Sequence, residues 1–124
     1  QKKGDNLEFL GERDDIADLI QYSEFVALCS NFETFPLIIP EAARLSKPLI
    51  LSKVGGNEEI LEDNYDALFA GSLDEWTNAI NKYCKKENLN KISKNIKKTF
   101  DLKLNPDCIK QDILEIYNSI KTID

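Results

Sequence analysis

Short apolar runs, each too brief for a typical helix and each followed by a helical pattern, constrain this chain more than any other feature. The runs are LEFLG (7–11), EFVALCS (24–30), PLILS (48–52) and DALFA (66–70). Continuous rather than alternating apolarity marks strands buried on both faces, which occurs in parallel sheets with helices on either side. The pattern therefore predicts an α/β, doubly wound fold.

Helical periodicity fills the gaps between the runs. DDIADLIQYS offers Asp14 or Asp15 as an N-cap, with Ile16, Leu19 and Ile20 on one face. PLIIPEAARL (36–45) is a second helix. Pro36 suits its first turn, whereas Pro40 should loosen that turn and delay regular helix until about Glu41. A glycine turn, VGGN, leads into a short helix, EEILED. Ser72 with Glu75 has capping-box spacing and should start a helix running to about Lys86. A lysine-rich helix over 88–100 follows, and Asn105, Pro106 and Asp107 start a last one. In it Ile109, Ile113, Ile116, Tyr117 and Ile120 recur at helical spacing. Trp76, Phe9, Phe25 and Phe69 lie within element patterns and are expected in the core.

At 124 residues, 42% of them hydrophobic and 31% charged, the chain is one ordinary globular domain at most. It holds no apolar run near the roughly 20 residues of a membrane span. It contains no Met and opens on QKKGDNLEFLGERDD, which reads as the middle of something longer. Cys29, Cys84 and Cys108 are widely spaced, which fits neither a disulfide framework nor a zinc site. Cys29, ending an apolar run, is expected to be a small core residue, and a reducing, cytoplasmic compartment is the simplest setting. With no His, Ser-His and Cys-His catalysis and His-ligated metals are excluded within these residues. Residues 81–103 carry eight lysines against Glu87 and Asp101, in a chain of net charge −6. Such a segment is either a solvated helix face or a peripheral contact with an anionic membrane. Between Lys85 and Lys98 no aromatic interleaves the lysines, and no nucleic-acid recognition is expected.

In doubly wound sheets ligands gather beyond the carboxyl ends of the strands. NFETF and KVGGNEE emerge there, each leading into a helix start whose free N–H groups favour an anion. Glu41 has the chemistry to accept two hydrogen bonds from a ribose diol, and Glu33 to accept them from a sugar's hydroxyls. The plain alternatives are an ordinary loop acid and an ordinary helix acid. Gly55 and Gly56 either make a tight turn or admit a ligand close to the backbone.

The order of the segments carries a resemblance. Phe9-Leu10-Gly11, Asp14-Asp15, Ser30, Glu33-Thr34-Phe35-Pro36, Glu41-Ala42, Ser46-Lys47-Pro48 and Gly55-Gly56-Asn57-Glu58-Glu59 resemble, in order, the landmarks of one enzyme family. It is the group 1, or family four, retaining glycosyltransferases of GT-B architecture, and the matching part is their C-terminal half. The likeness is clearest over residues 6–80 and looser over the helices of 72–124. It implies that residues 1–124 are part of a Rossmann-like, nucleotide-sugar-binding domain that lacks its first strands. The parent enzyme would transfer a sugar from a nucleoside diphosphate to a glycan or lipid-linked acceptor with retention, as in polysaccharide biosynthesis, with no cofactor or metal. The resemblance assigns Glu33 to the donor sugar, as the catalytic residue, and Glu41 to the ribose. It assigns Thr34, Phe35, Pro36 and Leu37 to the neighbourhood of the sugar and diphosphate, and Gly55 and Gly56 to the donor-binding loop.

The departures are Thr34 and Ser46, each where the family usually has Gly. The family's phosphate-holding Arg and Lys lie on strands upstream of what corresponds to residue 1, and its N-terminal domain binds the acceptor. Residues 1–124 alone are therefore expected to be inactive. Their exposed strand edges should force either a rearranged first strand or self-association. Two other functions fit less well: a nucleotide-sugar epimerase of GT-B fold, and a non-catalytic nucleotide-sugar-binding or scaffold module.

Overall fold

A computed structural model describes residues 6–121. Three parallel strands, β1 (Val26–Leu28), β2 (Leu49–Ser52) and β3 (Leu68–Ala70), form a sheet in the order β1-β2-β3. Val26 pairs with Leu49 on one side of β2, and Ile50 with Leu68 on the other. The crossovers are α2 (Ile38–Arg44) and α3 (Gly56–Ile60); α1 (Ile16–Tyr22) precedes β1. After β3 come α4 (Leu73–Tyr83), α5 (Lys86–Thr99), a π-helical turn at Phe100–Leu104, and α6 (Pro106–Lys121). The α/β class expected from the apolar runs is the class observed.

The period-two geometry of a strand divides β2 between two cores. Leu49 and Leu51 pack on one face with Ile39, Ala42, Ala43, Phe69, Ile96 and Phe100. Ile50 packs on the other with Leu68, Ala70, Ala79, Tyr83 and Ile92, and Phe25, Trp76 and Leu89 flank them. Helix α5 serves both faces, through Ile96 and Ile92 respectively. Tyr83 is buried and its hydroxyl donates to the Leu49 carbonyl at 2.9 Å, so the phenol pays no orphaned-donor penalty. Burial, with Asp63 and Asp66 nearby, pushes its pKa up.

Polar knots close the layers. Buried Asp66, expected to begin a strand, instead accepts the Thr99 hydroxyl at 2.7 Å and the Glu62 amide at 2.7 Å. Its carboxylate thereby ties the α3–β3 loop to α5. Buried carboxylates persist only when hydrogen-bonded in this way.

Several expectations need correction. No strand forms at 7–11; Leu7 and Leu10 are exposed, and Phe9, expected in the core, is 63% exposed. A strand exists only where a neighbour satisfies its backbone, and these residues meet neither a ladder nor either core. Edge strand β1 shrinks to three residues, which leaves Cys29 beyond it and exposed rather than in the core. Asp15 occupies the N-cap of α1 but makes no side-chain cap; it pairs with Arg13 instead. Of the face proposed for α1, Ile20 is buried while Ile16 and Leu19 are exposed. Helix α2 begins at Ile38, not near Glu41, and Pro36 lies just before it. Pro40 is its third residue, where no intrahelical donor is needed, so the proline is absorbed without delaying the helix. Helix α3 starts two residues earlier than expected, at Gly56. The π-helical turn had no counterpart in the sequence pattern. Helix α6 starts as expected, at Pro106, with the Asn105 side chain accepting the Asp107 amide at 3.0 Å. Its apolar repeat is nonetheless 41–63% exposed.

The capping box at Ser72 forms as its spacing required. The Ser72 hydroxyl accepts the Glu75 amide at 3.3 Å, and the Glu75 carboxylate accepts the Ser72 and Gly71 amides at 3.0 and 2.7 Å. Lys53 adds a 2.6 Å ion pair from the end of β2. The Lys53 bond and the backbone donors together lower the Glu75 pKa from 4.5 to about 2. A lowered native pKa means that this interaction stabilises fully above the ordinary carboxylate range and is lost as pH falls toward 2. Thermal melts between pH 6 and pH 2 should show Glu75→Gln less stable than the parent at pH 6, with the difference shrinking on acidification. A difference independent of pH would rule out the linkage.

Candidate functional site

The loops that leave β1 and β2 meet at the carboxyl edge of the sheet, and a serine ends each apolar run there. The Ser52 hydroxyl accepts the Ser30 amide at 2.9 Å and donates to the Leu28 carbonyl at 3.3 Å. One side chain on β2 thus ties down the end of β1 and the start of its loop. The Ser30 hydroxyl in turn donates to Oε1 of Glu33 at 2.6 Å. Hydrogen bonds to a carboxylate are shorter and stronger than neutral ones, so this contact orients a half-buried acid.

The glycine pair approaches the same loop from β2. The Gly56 amide donates to the Glu33 carbonyl at 3.1 Å. A Cβ on Gly56 would sit 1.5 Å from the Thr34 carbonyl oxygen, and one on Gly55 would sit 2.7 Å from the Glu33 carbonyl oxygen. Gly55 also has a positive φ of 35°, which favours glycine. Close approach is therefore real at both positions, but the backbone approached is the chain's own Glu33–Thr34 segment. Asn57 is fully buried beside them and its amide donates to the Ser52 carbonyl at 3.1 Å. Its Oδ1 has no partner among the described residues, which costs about 1–3 kcal/mol. The backbone tie at Ser52 is the compensation on view.

Glu33, Thr34, Gly55 and Gly56 are thus brought together, a contact the sequence spacing had not specified. Pro36 is buried, whereas Phe35 and Leu37 turn their side chains to the surface. Glu41 is exposed on the first turn of α2 and lines a concavity of about 450 Å³ with Arg44, Phe100, Leu104 and Asn105. Glu33 is not on that wall, so the two glutamates face different surroundings. No group of three or more Cys, Asp or Glu side chains among the described residues is arranged to hold a metal. Ser30, Ser52 and Asn57 were missed as site residues. The signal lay in a polar residue closing each apolar run, FVALCS and PLILS.

Gly56→Ala tests this packing directly. The clash is with backbone, which has no flexible end to swing away, so the loop or the helix start must move. The expected loss is about 3 kcal/mol in denaturant unfolding, with amide shifts concentrated at residues 30–35. A variant as stable as the parent would show that the loops are not in contact.

The family described as glycosyl transferases group 1 matches residues 1–99. An Escherichia coli UDP-Gal:α-D-GlcNAc-diphosphoundecaprenol α-1,3-galactosyltransferase is 32% identical over 91 residues, covering 72% of this chain and 24% of that protein. The Bacillus anthracis N-acetyl-α-D-glucosaminyl L-malate synthase is 36% identical over 58 residues, 47% of this chain and 15% of the synthase. Among solved structures, Anabaena HepE in complex with UDP superimposes with a TM-score of 0.82 at 28% identity. The match covers 90% of this chain and 32% of HepE. This chain therefore spans about a quarter of the galactosyltransferase and a third of HepE. With the family matched over most of its length, the chain belongs to the group 1 glycosyl transferases.

Proposed function

We propose that residues 1–124 form the donor half-site of an enzyme that transfers a sugar from a nucleoside diphosphate to an acceptor. The observation that carries this reading is the Ser30–Glu33–Gly56 knot at the carboxyl edge of the sheet, where doubly wound folds bind ligands. In it a carboxylate is held ready to accept sugar hydroxyls. Glu41 is the group for the ribose diol, and the N–H groups around Phe35–Leu37, at a helix start, face the diphosphate chemistry.

Catalysis on such a site works by positioning and by stabilising the departing diphosphate. Transfer with retention, an acceptor that is a glycan or a lipid-linked sugar, and an acceptor domain outside these residues complete the proposal. That HepE has been solved with UDP and with UDP-glucose makes uridine nucleotides the first donors to test. The transferase reading is preferred to an epimerase because the relatives are named as sugar transferases. Among the described residues no helix is long and apolar enough to cross a membrane. The exposed lysines Lys85, Lys86, Lys91, Lys94 and Lys98 favour a peripheral contact with an anionic membrane face, on the cytoplasmic side.

Titration of the chain with UDP, GDP, ADP and their sugar conjugates, read by amide NMR, tests the reading. The expected result is saturable shifts at residues 30–42 and 54–59 for one nucleobase. Glu41→Ala should weaken that binding about 10-fold or more, the loss of charge-assisted hydrogen bonds. A folded chain that ignores every nucleotide would sink the proposal.

A further inference from the structure

We propose that Ser30 is a positioning residue for donor-sugar recognition: it fixes the orientation of the Glu33 carboxylate through one oxygen and leaves the other open to the sugar's hydroxyls. The inference rests on the donor reading of Glu33 and goes beyond it.

Glu33 is held at both ends. Its carbonyl accepts the Gly56 amide at 3.1 Å, and a glycine pair with no room for a Cβ packs on the Glu33 and Thr34 carbonyls. Its Oε1 accepts the Ser30 hydroxyl at 2.6 Å. Ser30 is itself fixed, because its amide is bound by the hydroxyl of Ser52. Ser52 belongs to β2, the most deeply buried strand, and donates across to β1 at Leu28. The carboxylate is thus referred, through two serines, to the rigid centre of the sheet.

Two consequences follow. A free glutamate loses rotamer freedom when a ligand seizes it, and a glutamate already held loses less. Sugar binding gains that difference. The second concerns selectivity. Among the described residues Oε2 accepts no hydrogen bond, so it is the oxygen left for the sugar. Glu41 makes no side-chain hydrogen bond among the described residues, and both its oxygens are open to a diol.

The test compares UDP with UDP-glucose on the chain and on Ser30→Ala, Ser30→Thr and Glu33→Gln, by calorimetry. The readout is the affinity ratio of the sugar nucleotide to UDP, supplemented by ¹³C relaxation of the Glu33 side chain without ligand. Ser30→Ala should lower the ratio about 3- to 10-fold with UDP affinity unchanged, and should loosen the Glu33 side chain; Ser30→Thr, which keeps the hydroxyl, should restore both. Equal losses for UDP and UDP-glucose would mean a merely structural serine and overturn the proposal. So would an unaltered Glu33 side chain in Ser30→Ala. If Glu33→Gln lowers the ratio and Ser30→Ala does not, this proposal alone fails. If the parent chain binds neither ligand, the donor reading fails and takes this proposal with it.

Discussion

Strand β2 is hydrogen-bonded along both edges and buried on both faces, so almost every other element is defined by what it does for that strand. Such a strand can carry apolar residues at successive positions, as Leu49, Ile50 and Leu51 do, only if a helical layer covers each side. Helix α2 and the π-helical turn cover one side, α4 the other, and α5 reaches both. The first polar residue of the run is Ser52, where the strand leaves the layers. Its hydroxyl then satisfies the end of β1, at the boundary between core and solvent where the candidate site lies.

The site accordingly depends on packing more than on any one acid. Gly55 and Gly56 matter because a side chain there would collide with the Glu33–Thr34 backbone. Asn57 matters because its amide anchors the same turn to β2. The Oδ1 of Asn57 has no partner among the described residues beside that anchor. Elsewhere the polar knots are complete, as at Asp66 with Thr99 and at Glu75 with Ser72 and Lys53.

Much of this was legible from residues alone. The capping box at Ser72, the start of α6 at Pro106 and the central strands all follow from local chemistry. Other features were not. LEFLG has the composition of a strand, yet Phe9 stays exposed because composition cannot supply a pairing partner. Cys29 looked like a core residue because the run containing it is apolar, whereas edge strand β1 ends one residue earlier. Pro40 looked disruptive because its position within the helix, third rather than fifth, was unknown.

By itself the sequence determined the class of fold, the order of the three paired strands and the helices between them, and the two glutamates worth asking about, because periodicity, caps and turn residues act over a few positions. Only the tertiary structure decided which apolar segments become core and which oxygen of Glu33 is already engaged. Those depend on contacts between residues far apart in the chain, Ser52 with Ser30, Gly56 with Glu33, Tyr83 with Leu49, and no local rule specifies them. The hydrogen bond from Ser30 to Glu33 spans three residues, yet it forms in its observed geometry because Ser52 of β2, 22 residues on, holds the serine in place.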